Sequence, residues 1–329
     1  MHPKVSVIIV NYNSGPRLEK CVAHLRAQTF SDFEILVVDN ASADGSADFT
    51  QTDGAITLIK AEGNIGFAAA NNLASYRAQG EWLAFLNPDA YADPDWLKEL
   101  ISAIARHPQA EAFGSTQLDD ADKTRIDGAG DVFHAFGIPY RGLYGRRAEL
   151  VPEEGECFAP CAAAAIYRKS TFKSLGGFNE RFFCYIEDVD LGFRLRLAGG
   201  MSIQVPAAIV RHEGSALTGR SSDFTIYHGH RNRIWTYFLN MPLPLLIATA
   251  PFHYFANTYF AFRFLLIGKG TAYFRALRDA HRDLRETFAA RRKRQLTRKA
   301  KTCEIARALT WSPFKVMTRN ADIRQRRRA

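Results

Sequence analysis

Four short apolar runs within the first ninety residues each end on a cluster of amides and carboxylates, and this recurrence constrains the fold more than any other feature of the chain. Residues 5–10, 34–39 and 81–86 are rich in β-branched and aromatic side chains, and residues 56–60 form a shorter run of the same kind. Continuous apolar stretches of this length read as strands buried on both faces, the signature of a parallel sheet covered by helices. Helical spacing fills the intervals. Over residues 17–28, Leu18, Cys21, Val22 and Leu25 share one face; residues 64–77 read as a turn and then a helix, and residues 93–106 as another helix. Strands alternating with helices predict an α/β chain with a mostly parallel sheet.

In an open parallel sheet, ligands bind beyond the carboxyl ends of the strands. The four predicted strands are followed by Asn11-Tyr12-Asn13, by Asp39-Asn40-Ala41-Ser42, by Asn64-Ile65-Gly66-Phe67 and by Asn87-Pro88-Asp89. Any one of these clusters fits a turn or a helix cap. Four at the same edge indicate a site for ribose, base and phosphate. A carboxylate at Asp39 can accept from a base imide or a ribose hydroxyl, and Gly66 admits close backbone approach. Asn71 and Asn72 follow on the next helix, placed to touch a ligand or to orient the loop. Asp89 is the candidate ligand for Mg²⁺ or Mn²⁺, hard cations that take oxygen donors.

Beyond residue 110 the pattern loosens into a strand over 111–116, a Gly-rich irregular stretch through residue 145 and an apolar crossing of the core over 158–168. A helix over 187–199 and a last strand over 201–210 follow. The helix opens with Glu187-Asp188-Val189-Asp190, where carboxylates are favoured by the helix dipole. Asp190 is spaced to pair with Arg194 at i,i+4, which leaves Asp188 as the candidate general base. His212, just past the last strand, is a candidate further metal ligand.

Charge divides the chain. Residues 263–329 hold 20 Lys and Arg against 5 Asp and Glu, while the remainder holds 23 against 29, so an acidic body carries a basic tail. Residues 234–267 are strongly apolar and aromatic but are broken by Pro242, Pro244 and Pro251. A spanning helix needs about 20 apolar residues with few interruptions. Two readings stand: helices lying in a membrane interface with the Arg-rich residues 275–301 against anionic lipid, or a core hairpin with a solvated basic face. The five cysteines form no CxxC pair, and residues 1–4 lead straight into the first strand with no signal peptide, an arrangement that fits a reducing cytosol. No GxGxxG follows the first strand, which excludes the common nicotinamide fingerprint. A nucleic-acid-binding role for the tail gives no reason for the acidic clusters.

The segments VSVIIVNYN, VVDNASADGS, NIGFAAANN, FLNPDA and GGFNERFFCYIEDVDLGFRLRLAG, with the downstream His212, together resemble glycosyltransferase family 2 and its GT-A fold. The resemblance covers about residues 5–238. The NIGFAAANN and NPD forms, with YHGHRN at 227–232, are most similar to the rhamnosyltransferase-like branch that builds bacterial cell-surface polysaccharide. The resemblance implies that Asn11, Asn13, Asp39 and Asn64 hold the nucleoside, that Asp89 and His212 hold the metal, and that Asp188 acts as base with Glu187 beside it touching donor or acceptor sugar; Asn40, Gly66, Phe67, Asn71 and Asn87 complete the expected nucleotide-sugar site. The superfamily's Asp-x-Asp motif reads Asn87-Pro88-Asp89 here, so one carboxylate does the work of two.

The expectation is an inverting, metal-dependent transferase with a Rossmann-like catalytic domain over 1–233. Its nucleotide-sugar half spans about 1–110 and its acceptor half about 111–233, and a helical extension covers 234–329. The expected donor is dTDP-rhamnose, with a UDP-sugar as the alternative. The expected acceptor is a glycan or polyprenyl-linked sugar at the inner face of the plasma membrane, with the protein cytoplasmic, peripheral and on an anionic surface. A non-catalytic nucleotide-sugar-binding scaffold is the competing class.

Overall fold

A computed structural model of the chain describes residues 2–214 and 222–325. In chain order the first half contains β1 (Val5–Asn11), α1 (Arg17–Arg26), β2 (Phe33–Asp39), β3 (Ile56–Lys60), α2 (Gly66–Arg77), β4 (Trp82–Leu86), β5 (Ala90–Ala92), α3 (Trp96–Arg106) and β6 (Ala112–Asp119). There follow β7 (Ile126–Ala129), β8 (Asp131–His134), β9 (Ile138–Arg141), β10 (Gly155–Cys157), β11 (Ala164–Arg168), α4 (Lys169–Ser174), α5 (Glu187–Leu197) and β12 (Ser202–His212). The chain closes on α6 (Asp223–Asn240), α7 (Leu243–Leu266), α8 (Gly270–Arg282), α9 (Leu284–Leu296), α10 (Thr302–Ala308) and α11 (Pro313–Thr318).

The main sheet has the order β10-β12-β6-β11-β4-β1-β2-β3, with β5 added beside β12 and β7 beside β6. Strands β4, β1, β2 and β3 run parallel, whereas β11 is antiparallel to both β4 and β6. Alternate residues of β1 serve opposite cores, as a continuous apolar run requires. Val5, Val7 and Ile9 pack with Leu18, Cys21, Val22 and Leu25 of α1 and with Trp96, Leu97 and Leu100 of α3. Ile8 and Val10 pack with Ala68, Ala70 and Ala74 of α2 and with Leu191 and Leu195 of α5.

The stretch expected to be irregular holds three short strands, and β8 and β9 form a hairpin. Strands of four residues contain too few alternations to register as a period, and Gly130 and Gly137, both at positive φ, supply the bends between them. The apolar crossing over 158–168 resolves into β11 and the loop before it. The last strand runs on to residue 212, so His212 ends β12 rather than following it.

Helix α6 runs unbroken through residue 233, where the sequence reading divided the chain. The helices after it are tied back to α5 and α6. Arg294 of α9 donates to Asp190 at 2.6 Å and to Asn240 at 2.7 Å, and buried Arg291 donates to the Phe238 carbonyl at 3.1 Å. Part of the basic tail is therefore internal. Helix α7 buries Leu246, Thr249, His253, Ala256 and Asn257 on one side, while its opposite side is bare and apolar, with Ile247, Phe255 and Leu266 exposed by 67%, 75% and 70%. Among the described residues no helix is long and apolar enough to cross a membrane.

Candidate active site

Asn13, Asn40, Asn64, Gly66, Phe67, Asn87, Asp89 and His212 line a single cleft of about 610 Å³ at the carboxyl edge of the parallel strands. The loops that reach it are pinned by amides. Asn40 Nδ2 donates to Asn64 Oδ1 at 2.8 Å, and the same oxygen accepts from the Gly66 amide at 3.0 Å. Gly66 has φ +84° and lies so close to Phe183 that a Cβ there would stand 2.5 Å from the ring.

Three of the expected nucleotide contacts are placed differently. Asn11 is fully buried, and its amide donates to Asp39 Oδ1, Ser42 Oγ and Ser46 Oγ at 3.2, 3.0 and 2.9 Å. It holds the loop rather than lining the cleft. Asn71 turns back to donate to the Phe67 carbonyl at 2.9 Å within α2, and it is buried. Asp39 lies outside the lining, half-buried; its Oδ1 accepts from Asn11 and from the Ser42 amide, and among the described residues Oδ2 has no hydrogen bond.

Pairing of β5 with β12 sets Ala90 opposite His212 and so brings Asp89 beside the imidazole. His212 Nδ1 is 2.8 Å from Asp127 Oδ2, and Nε2 faces Asp89 Oδ1 at 3.3 Å and, among the described residues, makes no hydrogen bond. Burial opposes a charge on His212, but Asp89 and Asp127 outweigh it and raise its pKa to about 9. Burial likewise opposes ionisation of Asp89, and the His212 charge outweighs it, holding the carboxyl below its usual range. Two acids around one imidazole, all three buried, form a place built for positive charge. A hard divalent cation fits this donor set, since the orphaned Nε2 and the Asp89 carboxylate point at one another and Asp127 fixes the ring from behind.

A second pocket, about 190 Å³, adjoins the cleft and is lined by Asp131, Glu187 and Asp188. Phe67, Asn87, Arg141, Cys184 and Tyr185 line both spaces. Asp188 is aimed by two amides: Oδ2 accepts from Ala162 at 3.0 Å and Oδ1 from Val189 at 2.8 Å. Burial and the Asp188 charge raise the pKa of Glu187 well above the usual carboxylate range, and among the described residues its Oε2 has no hydrogen-bond partner. Asp190 turns away from the pocket, pairs with Arg194 at 2.8 Å and with Arg294, and is held at about 2 against the cost of burial by those two cations.

The wall between the two spaces is strained. Phe183, Tyr185 and Ile186 have φ of 64°, 72° and 69°, a region costly for side chains of this size. One amide holds them: Asn232 Nδ2 lies 2.9, 2.9 and 2.8 Å from the carbonyls of Phe182, Cys184 and Tyr185. Arg231 donates to the Phe182 carbonyl at 3.2 Å, so the YHGHRN segment acts on the site through this wall. Sequence reasoning also missed Asp127, Asp131 and Arg141. The available signal was two carboxylates set among glycines, Asp127-Gly128-Ala129-Gly130-Asp131.

A family model described as Glycosyl transferase family 2 matches residues 6–176. The N-acetylglucosaminyl-diphospho-decaprenol L-rhamnosyltransferase of Mycobacterium tuberculosis is 31% identical over 239 residues, covering 65% of this chain and 77% of that protein. Among solved structures, the mannosyltransferase PcManGT from Pyrobaculum calidifontis, in complex with GDP-Man and Mn²⁺, superposes with a TM-score of 0.55 at 18% identity, covering 94% of this chain and 86% of that one. GalNAc-T7 with UDP, GalNAc and Mn²⁺ superposes with a TM-score of 0.58 at 16% identity, covering 72% of this chain and 48% of that one. Both likenesses concern the fold, a GT-A-like sheet flanked by helices.

Proposed function

Because this chain belongs to glycosyl transferase family 2, we propose that it moves L-rhamnose from dTDP-rhamnose to a sugar carried on a lipid diphosphate, with inversion at the anomeric carbon. The observation that carries the reading is the shared wall: Asp89 lines one cavity, Asp188 the next, and Asn87 and Arg141 line both. The sugar end of a donor lying in the cleft would reach the junction, and an acceptor in the small pocket would meet it from the Asp188 side.

Asn13, Asn40 and Asn64 would receive the nucleoside, with Phe67 and Asn87 at the sugar end; Asp39, outside the lining, would take part only through its free Oδ2. A divalent cation, Mg²⁺ or Mn²⁺, held by Asp89 and His212, would neutralise the charge that grows on the diphosphate as it leaves. Asp188 accepts the proton of the acceptor hydroxyl while that oxygen attacks C1 from the face opposite the diphosphate. The C1–O bond to the diphosphate breaks as the new bond forms, and no covalent enzyme intermediate is needed. Rhamnose and a lipid-diphosphate acceptor are the pair in the name of the mycobacterial relative; the solved neighbours carry UDP or GDP-Man together with Mn²⁺. Incubation with dTDP-β-L-rhamnose, Mn²⁺ and N-acetylglucosaminyl-diphospho-farnesol should yield an α-L-rhamnoside by NMR. A β-linked product would overturn the inverting mechanism, and transfer from UDP-hexoses but not from dTDP-rhamnose would overturn the donor.

The reading extends to a peripheral place on an anionic membrane surface. The bare side of α7, some 36 Å of helix at 1.5 Å per residue, presents Ile247, Phe255, Tyr259, Phe262 and Leu266. A continuous apolar strip of this kind is rarely left in water. Arg263, Lys269, Arg275 and Arg278 lie along and beyond it, suited to lipid phosphates. The paired substitution Phe255→Ser and Phe262→Ser should lower binding to phosphatidylglycerol vesicles at least tenfold while leaving the melting temperature unchanged. Equal vesicle binding by the variant would remove the membrane assignment.

A further inference from the structure

Asp131, at the start of β8, has no established part in the site, yet it is the most conspicuous polar group in the small pocket. The residue is only 5% exposed, and it lines the pocket together with Glu187 and Asp188. Among the described residues its carboxyl makes no hydrogen bond. Arg141 stands opposite it in the β8–β9 register, but the guanidinium is paired with Asp127 instead. Carboxyl oxygens of Asp131 and Asp188 and the Cys161 sulfur lie within 4.8 Å of one another. A buried carboxyl without a partner is costly unless something that visits the pocket satisfies it.

We propose that Asp131 binds the acceptor sugar, holding the hydroxyl next to the one that Asp188 deprotonates. This deepens the transferase reading and rests on it. Two carboxyls this close span adjacent hydroxyls on one sugar ring, so the pair selects acceptors that carry a free neighbouring hydroxyl. The two groups divide the work by environment. Burial, with the Asp188 charge added to it, raises the pKa of Asp131 well above the carboxylate range, so that it presents an O–H to the sugar oxygen. Asp188, aimed by two backbone amides, presents an acceptor. A cation on the same three groups is the poorer occupant: burial raises the pKa of the Cys161 thiol, and the Arg141 charge lies nearby.

The test compares wild type, Asp131→Ala and Asp131→Asn on N-acetylglucosaminyl-diphospho-farnesol and on its 3-deoxy and 4-deoxy analogues, with hydrolysis of dTDP-rhamnose by water followed in the same preparations. Asp131→Ala should raise the acceptor KM roughly tenfold, the loss of one buried hydrogen bond, while donor hydrolysis stays at the wild-type rate. The deoxy analogue that still accepts sugar should cost the wild type a similar factor and cost Asp131→Ala nothing more, because the contact is already gone. Asp131→Asn, which keeps an N–H for the sugar oxygen, should recover part of the KM. An unchanged acceptor KM in Asp131→Ala, or penalties that multiply in the cycle, would overturn the proposal. Loss of donor hydrolysis in Asp131→Ala would overturn it too, by assigning the residue to the donor side or to the fold. Wild-type donor hydrolysis reports separately on the transferase reading.

Discussion

Asp188→Asn is expected to bind the donor nucleotide and Mn²⁺ as the wild type does and to lose turnover by roughly 10²–10⁴-fold, the range for removing a general base. The substitution keeps shape and volume. Only one of the two amides that aim the carboxylate, Ala162 on Oδ2 or Val189 on Oδ1, would still find an oxygen to meet, because the other position becomes an NH₂ that cannot accept. Proton acceptance is what disappears, so kcat falls while donor affinity holds. Single-turnover transfer and donor-induced melting shifts measure the two quantities separately. Wild-type turnover in this variant would take Asp188 out of the mechanism. Neighbouring carboxyls offer little substitute, since burial, the largest cause at each and one the substitution leaves in place, raises the pKa of both Glu187 and Asp131.

Asp89→Asn should abolish the cooperation between Mn²⁺ and donor nucleotide. In the wild type, adding the two together should raise the melting temperature more than the sum of each alone, because ligands that bind only the folded state stabilise it by mass action. In the variant the excess should vanish, and turnover should fall by at least a hundredfold. Asp127→Asn acts one step further out, through the hydrogen bond that fixes the His212 ring. Its cost should be about 10–100-fold in Mn²⁺ affinity, the usual size for an outer-shell partner of a metal histidine. The sign of the pH effect follows from His212, whose pKa without metal is raised to about 9. Below that value Mn²⁺ must displace the imidazole proton, so apparent affinity should climb by up to about tenfold per pH unit until it levels near pH 9. Flat Mn²⁺ affinity between pH 6 and 9 would remove His212 from the metal shell.

The parallel half of the fold was legible because its signal is local. Residues 5–10 and 34–39 must be strands buried on both faces, and the rule for strand ends then points to Asn13, Asn40, Asn64 and Asp89, all of which line the cleft. Asp188 and its separation from Asp190 were legible for the same reason, since i,i+4 spacing offers Asp190 a partner in Arg194. What stayed hidden is set by pairing rather than by pattern. Asp127 and Asp131 belong to β7 and β8, four-residue strands among glycines, and only the register of the sheet brings them to His212 and Asp188. Asn11 and Asn71 have the right chemistry in the right motifs, yet one buttresses a loop and the other caps back onto its own helix. The basic tail shows the same limit: composition marks Arg291 and Arg294 as surface charge, and tertiary packing puts them to work inside.

In the proposed mechanism Asp89 and Asp188 face one donor sugar from two sides. A structure of the Asp188→Asn variant with intact dTDP-rhamnose and Mn²⁺ measures this directly. Manganese is expected on Asp89 and His212, touching the diphosphate, with the rhamnose C1 turned toward residue 188 and the small pocket. Manganese seated instead among Asp131, Cys161 and residue 188, or a sugar pointing away from that pocket, would contradict it.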